Sequence, residues 1–118
     1  MQAAASIGAD FISPVATAYA SPVNDPALAG FIPFTNKTMV DAAHQHGLQI
    51  KPWTPNRLNL IKYLIDIGVD GVITDYPLLV RRYIEQRGDR ALAPLGDVAR
   101  VQKCLAEHIQ LAPTNATI

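Results

Sequence analysis

The sequence predicts an α/β fold built on parallel strands, and three observations predict it. Short apolar segments at residues 10–13, 49–53 and 71–74 each end in a turn-forming or polar residue. Segments with helical spacing of apolar residues separate them and follow the last, giving the order βαβαβα. Crossovers of that kind join parallel strands and put helices on the sheet faces.

The first strand is Asp10-Phe11-Ile12-Ser13. Residues 18–34 follow, with Pro22, Pro26, Pro33 and Gly30. This stretch is too long for an ordinary connector and too broken by proline for a helix, so it is predicted to be an excursion loop, where sites often lie in parallel folds. A helix is expected over residues 38–46, with Met39, Val40 and Ala43 on one side and Gly47 as its stop. The second strand is Gln49-Ile50-Lys51-Pro52-Trp53. A helix over residues 56–67 places Leu58, Ile61, Leu64 and Ile65 together, with Asn56 as cap and Gly68 as end. After the third strand, Gly71-Val72-Ile73-Thr74, Asp75 caps a helix with Pro77 in its first turn. Leu78, Leu79 and Tyr83 supply its apolar side, and Gly88 ends it. A last helix over residues 97–109 aligns Val98, Val101, Leu105 and Ile109, and a frayed tail is expected from residue 112.

Composition removes several function classes. The chain has 118 residues, enough for one small domain. Ten Lys and Arg balance ten Asp and Glu, so there is no net positive field for a phosphate backbone and nucleic-acid binding is not expected. No run approaches the roughly 18 apolar residues of a spanning helix. The first basic residue is Lys37, so the charged start of a signal peptide is missing. The chain reaches its first strand almost at once, and its true beginning is expected to lie upstream. Cys104 is the single cysteine, so neither an internal disulfide nor a thiolate zinc site can be built from cysteine pairs.

The common phosphate-binding, serine-hydrolase and zinc-protease fingerprints are absent. His44 and His46, two apart on a helix, point about 200° from each other and make a poor metal pair. They sit instead where the negative end of the helix dipole favours a cation. His108 is expected at the surface. Trp53 ends a strand, which is where ligands bind in parallel folds, yet a large aromatic there serves equally as core filler. Asp75 also ends a strand, and helix capping alone explains it. Alternation groups Lys51 with Trp53 and Gly71 with Ile73 and Asp75, without saying which group faces inward.

Two stretches carry a resemblance. Residues 47–56, Gly-Leu-Gln-Ile-Lys-Pro-Trp-Thr-Pro-Asn, and residues 68–77, Gly-Val-Asp-Gly-Val-Ile-Thr-Asp-Tyr-Pro, resemble the C-terminal end of the glycerophosphodiester phosphodiesterases. Gly8-Ala9-Asp10-Phe11-Ile12-Ser13-Pro14 is similar to the sixth strand of that family. The resemblance covers residues 8–87 and implies the last three βα units, strands 6 to 8, of a (β/α)8 TIM-type barrel, an incomplete barrel since a whole one needs about 250 residues. It implies a phosphodiesterase portion over residues 8–88, with a C-terminal helix and tail over 89–118.

The family hydrolyses glycerophosphodiesters to glycerol phosphate and an alcohol, with a divalent cation, calcium or magnesium, and two histidines as acid and base. Its early His-Arg-Gly and Pro-Glu-Asn-Thr motifs do not occur here, so no catalytic residue and no metal ligand is carried over. The resemblance matches Trp53 to a tryptophan lining the substrate pocket near the glycerol moiety, and Asn56 and Asp75 to residues at its rim whose expected role is mainly structural. Pro55 replaces the usual valine and would stiffen that loop. The excursion loop matches no segment of the resemblance, and its effect on substrate choice stays open. The expected function is thus that of an inactive C-terminal portion of a phosphodiesterase. The competing reading is a stand-alone α/β module that associates through open strand edges.

Overall fold

The computed structural model describes residues 1–90, 92 and 97–111. The elements in order are α1 (Gln2–Ser6), β1 (Phe11–Ile12), α2 (Lys37–Gln45), β2 (Gln49–Ile50), α3 (Leu58–Asp66), α4 (Pro77–Arg87) and α5 (Val98–Leu111). The structure is therefore a mixed α/β one, as the patterning predicts.

β1 and β2 pair in parallel, with Phe11 opposite Gln49 and Ile12 opposite Ile50. The regular ladder is shorter than the predicted strands because Pro14 and Pro52 have no N–H to donate. The chain nevertheless stays extended alongside: Lys51 N donates to Ile12 O at 3.0 Å and Trp53 N to Pro14 O at 3.0 Å. The predicted third strand forms no regular strand. It lies parallel to β2 through a single bridge, Ile73 with Trp53, and through Asp70 N to Ile50 O and Ile73 N to Pro52 O.

α2 begins at Asn36, whose side-chain oxygen accepts from Met39 N at 2.9 Å, and it ends before Gly47 at φ +71°. α3 corrects the sequence reading. Its N-cap is Arg57, without a side-chain cap bond, and Leu60, Ile61, Leu64 and Ile65 are buried while Leu58 is exposed. α4 starts one residue later than a cap at Asp75 requires. Tyr76 is the N-cap, Val80 is the buried residue, and Leu78 and Leu79 are exposed. Pro77 at the start stiffens the first turn, and Gly88 in the left-handed region stops the helix. α5 is capped by Asp97, which accepts from Arg100 N, and its Val101, Leu105 and Ile109 are exposed. The tail expected from residue 112 lies outside the described residues. Short α1, which no five-residue pattern could announce, packs Met1, Ala4 and Ala5 onto the core.

The core lies on one side of the strands. Ile50, Val69 and Leu48 pack with Val40, Ala43, Leu60 and Leu64 from α2 and α3, and Ile12 and Val72 join from its edge. The other side is uncovered by the described residues. Lys51 Nζ sits 4.5 Å from the Phe11 ring centroid there, and Phe11, Trp53 and Ile73 are 44%, 38% and 45% exposed. This settles the strand parity that alternation left open.

The excursion loop is folded. Its two ends pair, with Thr17 bridging Pro33 and Ala18 N donating to Ile32 O at 2.9 Å. Buried Thr35 closes it, its hydroxyl donating to Val15 O and its N–H to Ala16 O. Phe31 packs edge-on to Tyr63 of α3 at 5.7 Å. The Asp25 carboxylate accepts from Ala27 N and Asn59 Nδ2, with Arg57 beyond at 3.8 Å.

Candidate functional site at the strand ends

Trp53, Asn56 and Asp75 all lie past the carboxyl ends of the strands, but the structure joins only two of them. Asn56 does not cap α3. Its Oδ1 accepts from the Thr74 hydroxyl at 2.9 Å and from Asp75 N at 3.0 Å, while its Nδ2 donates to Asp75 Oδ2 at 2.7 Å. Thr74 Oγ1 in turn accepts from Tyr76 N. The amide thus ties the loop after β2 to the segment before α4 and fixes the orientation of the Asp75 carboxylate. Local sequence gave Asn56 and Asp75 the look of caps because both precede helices. The true partner of each is the other, 19 residues away.

Trp53 stands apart from this clamp. It borders a cavity of about 130 Å³, with Thr17, Asn24 and Thr54 as polar neighbours and Val15, Ala16 and Leu60 as apolar ones. The Trp53–Thr54 peptide is cis, and Pro55 behind it is fully buried. The Thr17 hydroxyl donates to Asn24 Oδ1. Thr17 and Asn24 escaped the sequence reading, whose only signal for them was the length of the loop that carries them. A larger hollow of about 320 Å³ lies between the excursion loop and α3, lined by Pro26, Ala27, Asn59, Lys62, Tyr63 and Asp66.

The charged groups near the opposite end of the strands act on the fold. Asp70 Oδ2 accepts from Ile50 N at 2.8 Å and lies 2.8 Å from His44 Nε2. His46 Nδ1 is 2.9 Å from Ala42 O in the last turn of α2, as its place near the dipole's negative end predicts. On the loop, the bonds from Ala27 N–H and Asn59, with Arg57 nearby, hold Asp25 below the usual carboxylate range. Bonds from Lys62 and Arg87 do the same for Asp66.

Chemically, an indole, an amide, hydroxyls and one amide-bound carboxylate can stack and hydrogen-bond a ligand. They make no acid and base pair. The divalent cation that the resemblance implies needs a convergent set of donors, and the described residues do not fit it. No group of three His, Cys, Asp or Glu side chains among them is placed to hold a metal ion. Among the described residues no helix is long and apolar enough to cross a membrane.

Comparison with known proteins agrees with the motifs. Over 64 residues, 54% of the chain, the sequence is 33% identical to a Mycobacterium tuberculosis protein named "Probable glycerophosphodiester phosphodiesterase 2", of which the match covers 24%. Over 55 residues, 47% of the chain, it is 31% identical to the human "Lysophospholipase D GDPD3", of which 17% is covered. The match thus spans about a quarter or less of these relatives. Residues 1–79 match the profile of the glycerophosphoryl diester phosphodiesterase family, which takes in both strand-end motifs and the Asn56–Asp75 clamp, and the chain belongs to that family.

Proposed function

We propose that the chain is the C-terminal portion of a glycerophosphodiester phosphodiesterase, residues 8–88 contributing the last three βα units of its (β/α)8 barrel and residues 89–118 a helix and tail. In this reading Trp53, Asn56 and Asp75 form part of the substrate wall, and the cation ligands and acid–base histidines belong to the remainder of the barrel. The substrate is a small glycerophosphodiester, cleaved to glycerol phosphate and an alcohol with calcium or magnesium. The observation that carries the reading is the one-sided packing of the strands. The helices cover one face, and the opposite face exposes Phe11, Trp53 and Ile73, as the interior face of an unclosed barrel would.

The chain alone lacks the groups that polarise the phosphoryl oxygens and protonate the leaving alkoxide, so it is inactive. The test is phosphodiesterase turnover of glycerophosphocholine with added calcium or magnesium. The expected result is none from the isolated chain, and activity on co-expression with the N-terminal three-quarters of the Mycobacterium tuberculosis relative. Metal-dependent turnover that co-purifies with the 118-residue chain by itself overturns the proposal.

A further inference from the structure

We infer that the excursion loop docks the chain on a zwitterionic lipid surface, inserting Leu28, Ile32 and Phe34 below the headgroups and turning the strand ends toward the lipid. The inference goes beyond the reading just given and does not need the chain to be active.

Composition sets the loop apart. Asp25 is the single charged residue between Phe11 and Asn36, in a chain of which 17% is charged. Its carboxylate is tied down, bound by Ala27 N and Asn59 of α3, and 14% of the side chain is exposed. Leu28, Ile32 and Phe34 are exposed instead, and Tyr19 is 85% exposed. Ile32 and Phe34 flank Pro33, which bridges Thr17 in extended backbone, so the two side chains project to the same side while Phe31 and Pro33 are half-buried.

The backbone of this patch needs no water. Leu28 N donates to Asp25 O, Phe31 N to Leu28 O, Ile32 N to Ser21 Oγ, and both Phe34 N and Thr35 N to Ala16 O. Pro33 has no N–H to satisfy. An apolar loop with its donors already paired leaves water without the cost that unpaired amides impose.

Two observations select a lipid surface over a protein. Four exposed side chains are far short of the roughly 20–30 residues a side of a stable protein interface. A lipid layer takes apolar side chains one at a time, each by its own transfer free energy, and a tyrosine such as Tyr19 suits the depth of the headgroups. The charges bordering the loop are paired: Lys37 with Asp41 at 3.0 Å, Arg57 with Asp25 at 3.8 Å, and Lys62 with Asp66 at 2.6 Å beside Pro26 and Ala27. Each pair offers both signs, which complements the phosphate and ammonium of a zwitterionic headgroup, whereas an anionic surface finds no excess of cations. The loop leaves from the strand ends, and its Thr17 and Asn24 border the same cavity as Trp53, so docking brings that end of the molecule to the lipid.

The test is flotation of the 118-residue chain with phosphatidylcholine vesicles, combined with amide NMR in the presence of lipid spin-labelled in the acyl chain. The expected result is flotation that 0.5 M salt leaves unchanged, with broadening centred on residues 28–34. The double variant Ile32→Ser, Phe34→Ser, shown by its Trp53 indole signal to keep the parent fold, binds about tenfold more weakly or less. Leu105→Ser, which removes an exposed apolar residue of α5, leaves binding as it was. Four results overturn the inference: no flotation, flotation confined to phosphatidylglycerol vesicles and abolished by salt, undiminished binding in the double variant, or an equal loss in Leu105→Ser. Loop signals that move with protein concentration in the absence of vesicles also overturn it and assign the patch to a second copy. A chain that fails to float leaves the phosphodiesterase reading standing, and turnover by the chain alone removes that reading without touching the docking.

Discussion

Substituting Asn56 by Asp separates the clamp from a helix cap. Asp caps a helix about as well as Asn, so at a cap this change alters stability by a few tenths of a kcal/mol. In the clamp it replaces the N–H donor that sits 2.7 Å from Asp75 Oδ2 by a carboxylate oxygen, while the bonds from Thr74 and Asp75 N remain. A hydrogen bond to a charged group contributes about 1.5–3 kcal/mol. Asp75 is exposed, so water takes over part of the loss, but two facing carboxylates add repulsion. The expected destabilisation is about 2 kcal/mol, which moves a urea midpoint by roughly 1 M at ordinary slopes. The assay is urea unfolding followed by the fluorescence of Trp53. Asp75→Asn in the same chain restores a donor facing an acceptor, so the double variant recovers more than half of the loss, a coupling that independent sites do not show. An Asn56→Asp chain as stable as the parent, or no recovery in the double variant, refutes the clamp.

Asp70→Ala is expected to cost about 1–3 kcal/mol, because it orphans the N–H of fully buried Ile50 along with the His44 contact; Asp70→Asn, which keeps an acceptor, costs less, and amide exchange at Ile50 reads both. Asp25 has a folded pKa below its ordinary 3.8, so its hold on the loop is present above that value and is lost as pH falls through the lower folded one. The Asn59 side-chain amide signal therefore moves at acid pH, and in Asp25→Asn that transition is absent. Light scattering of the isolated chain is expected to show association, reduced by Ile73→Lys on the open face; an unchanged monodisperse monomer in both chains contradicts the unclosed-barrel reading. Leu64→Ala, at a fully buried position of α3, loses about 2–5 kcal/mol in a calorimetric scan.

What was legible in the sequence is what local chemistry determines. Gly47, Gly68 and Gly88 end their segments at positive φ, where glycine has no Cβ to clash, and the order of helices and extended segments follows the apolar spacing. What misled is long-range. Asn56 and Asp75 carry a capping pattern because they precede helices, and nothing local reveals that they bind each other. Leu58 and Leu60 both fit an amphipathic α3, and only the docking of α3 on Val40 and Ile50 selects Leu60. Thr17 and Asn24 lie in a loop whose fold depends on anchors at Ser21, Asp25 and Asn59, a set with no periodicity to read.

The strand parity was illegible for a more informative reason. Ile12, Ile50 and Val72 point to the helices, and Phe11, Trp53 and Ile73 to the opposite side, so apolar residues occupy both phases of the alternation. A sheet meant to face water on one side alternates apolar with polar, whereas strands buried on both faces read as continuous apolar runs. The residues of these strands therefore have the composition of a two-sided core, and the described helices supply only one side. Lys51 fits this picture, because its ammonium lies over the Phe11 ring on the open face while the residues flanking it in the chain, Ile50 and Pro52, are fully buried. The pattern that hid the register is thus the same one that argues for a second covering layer. The barrel proposed here supplies that layer from its own remaining strands, placing the face that bears Trp53 at the interior.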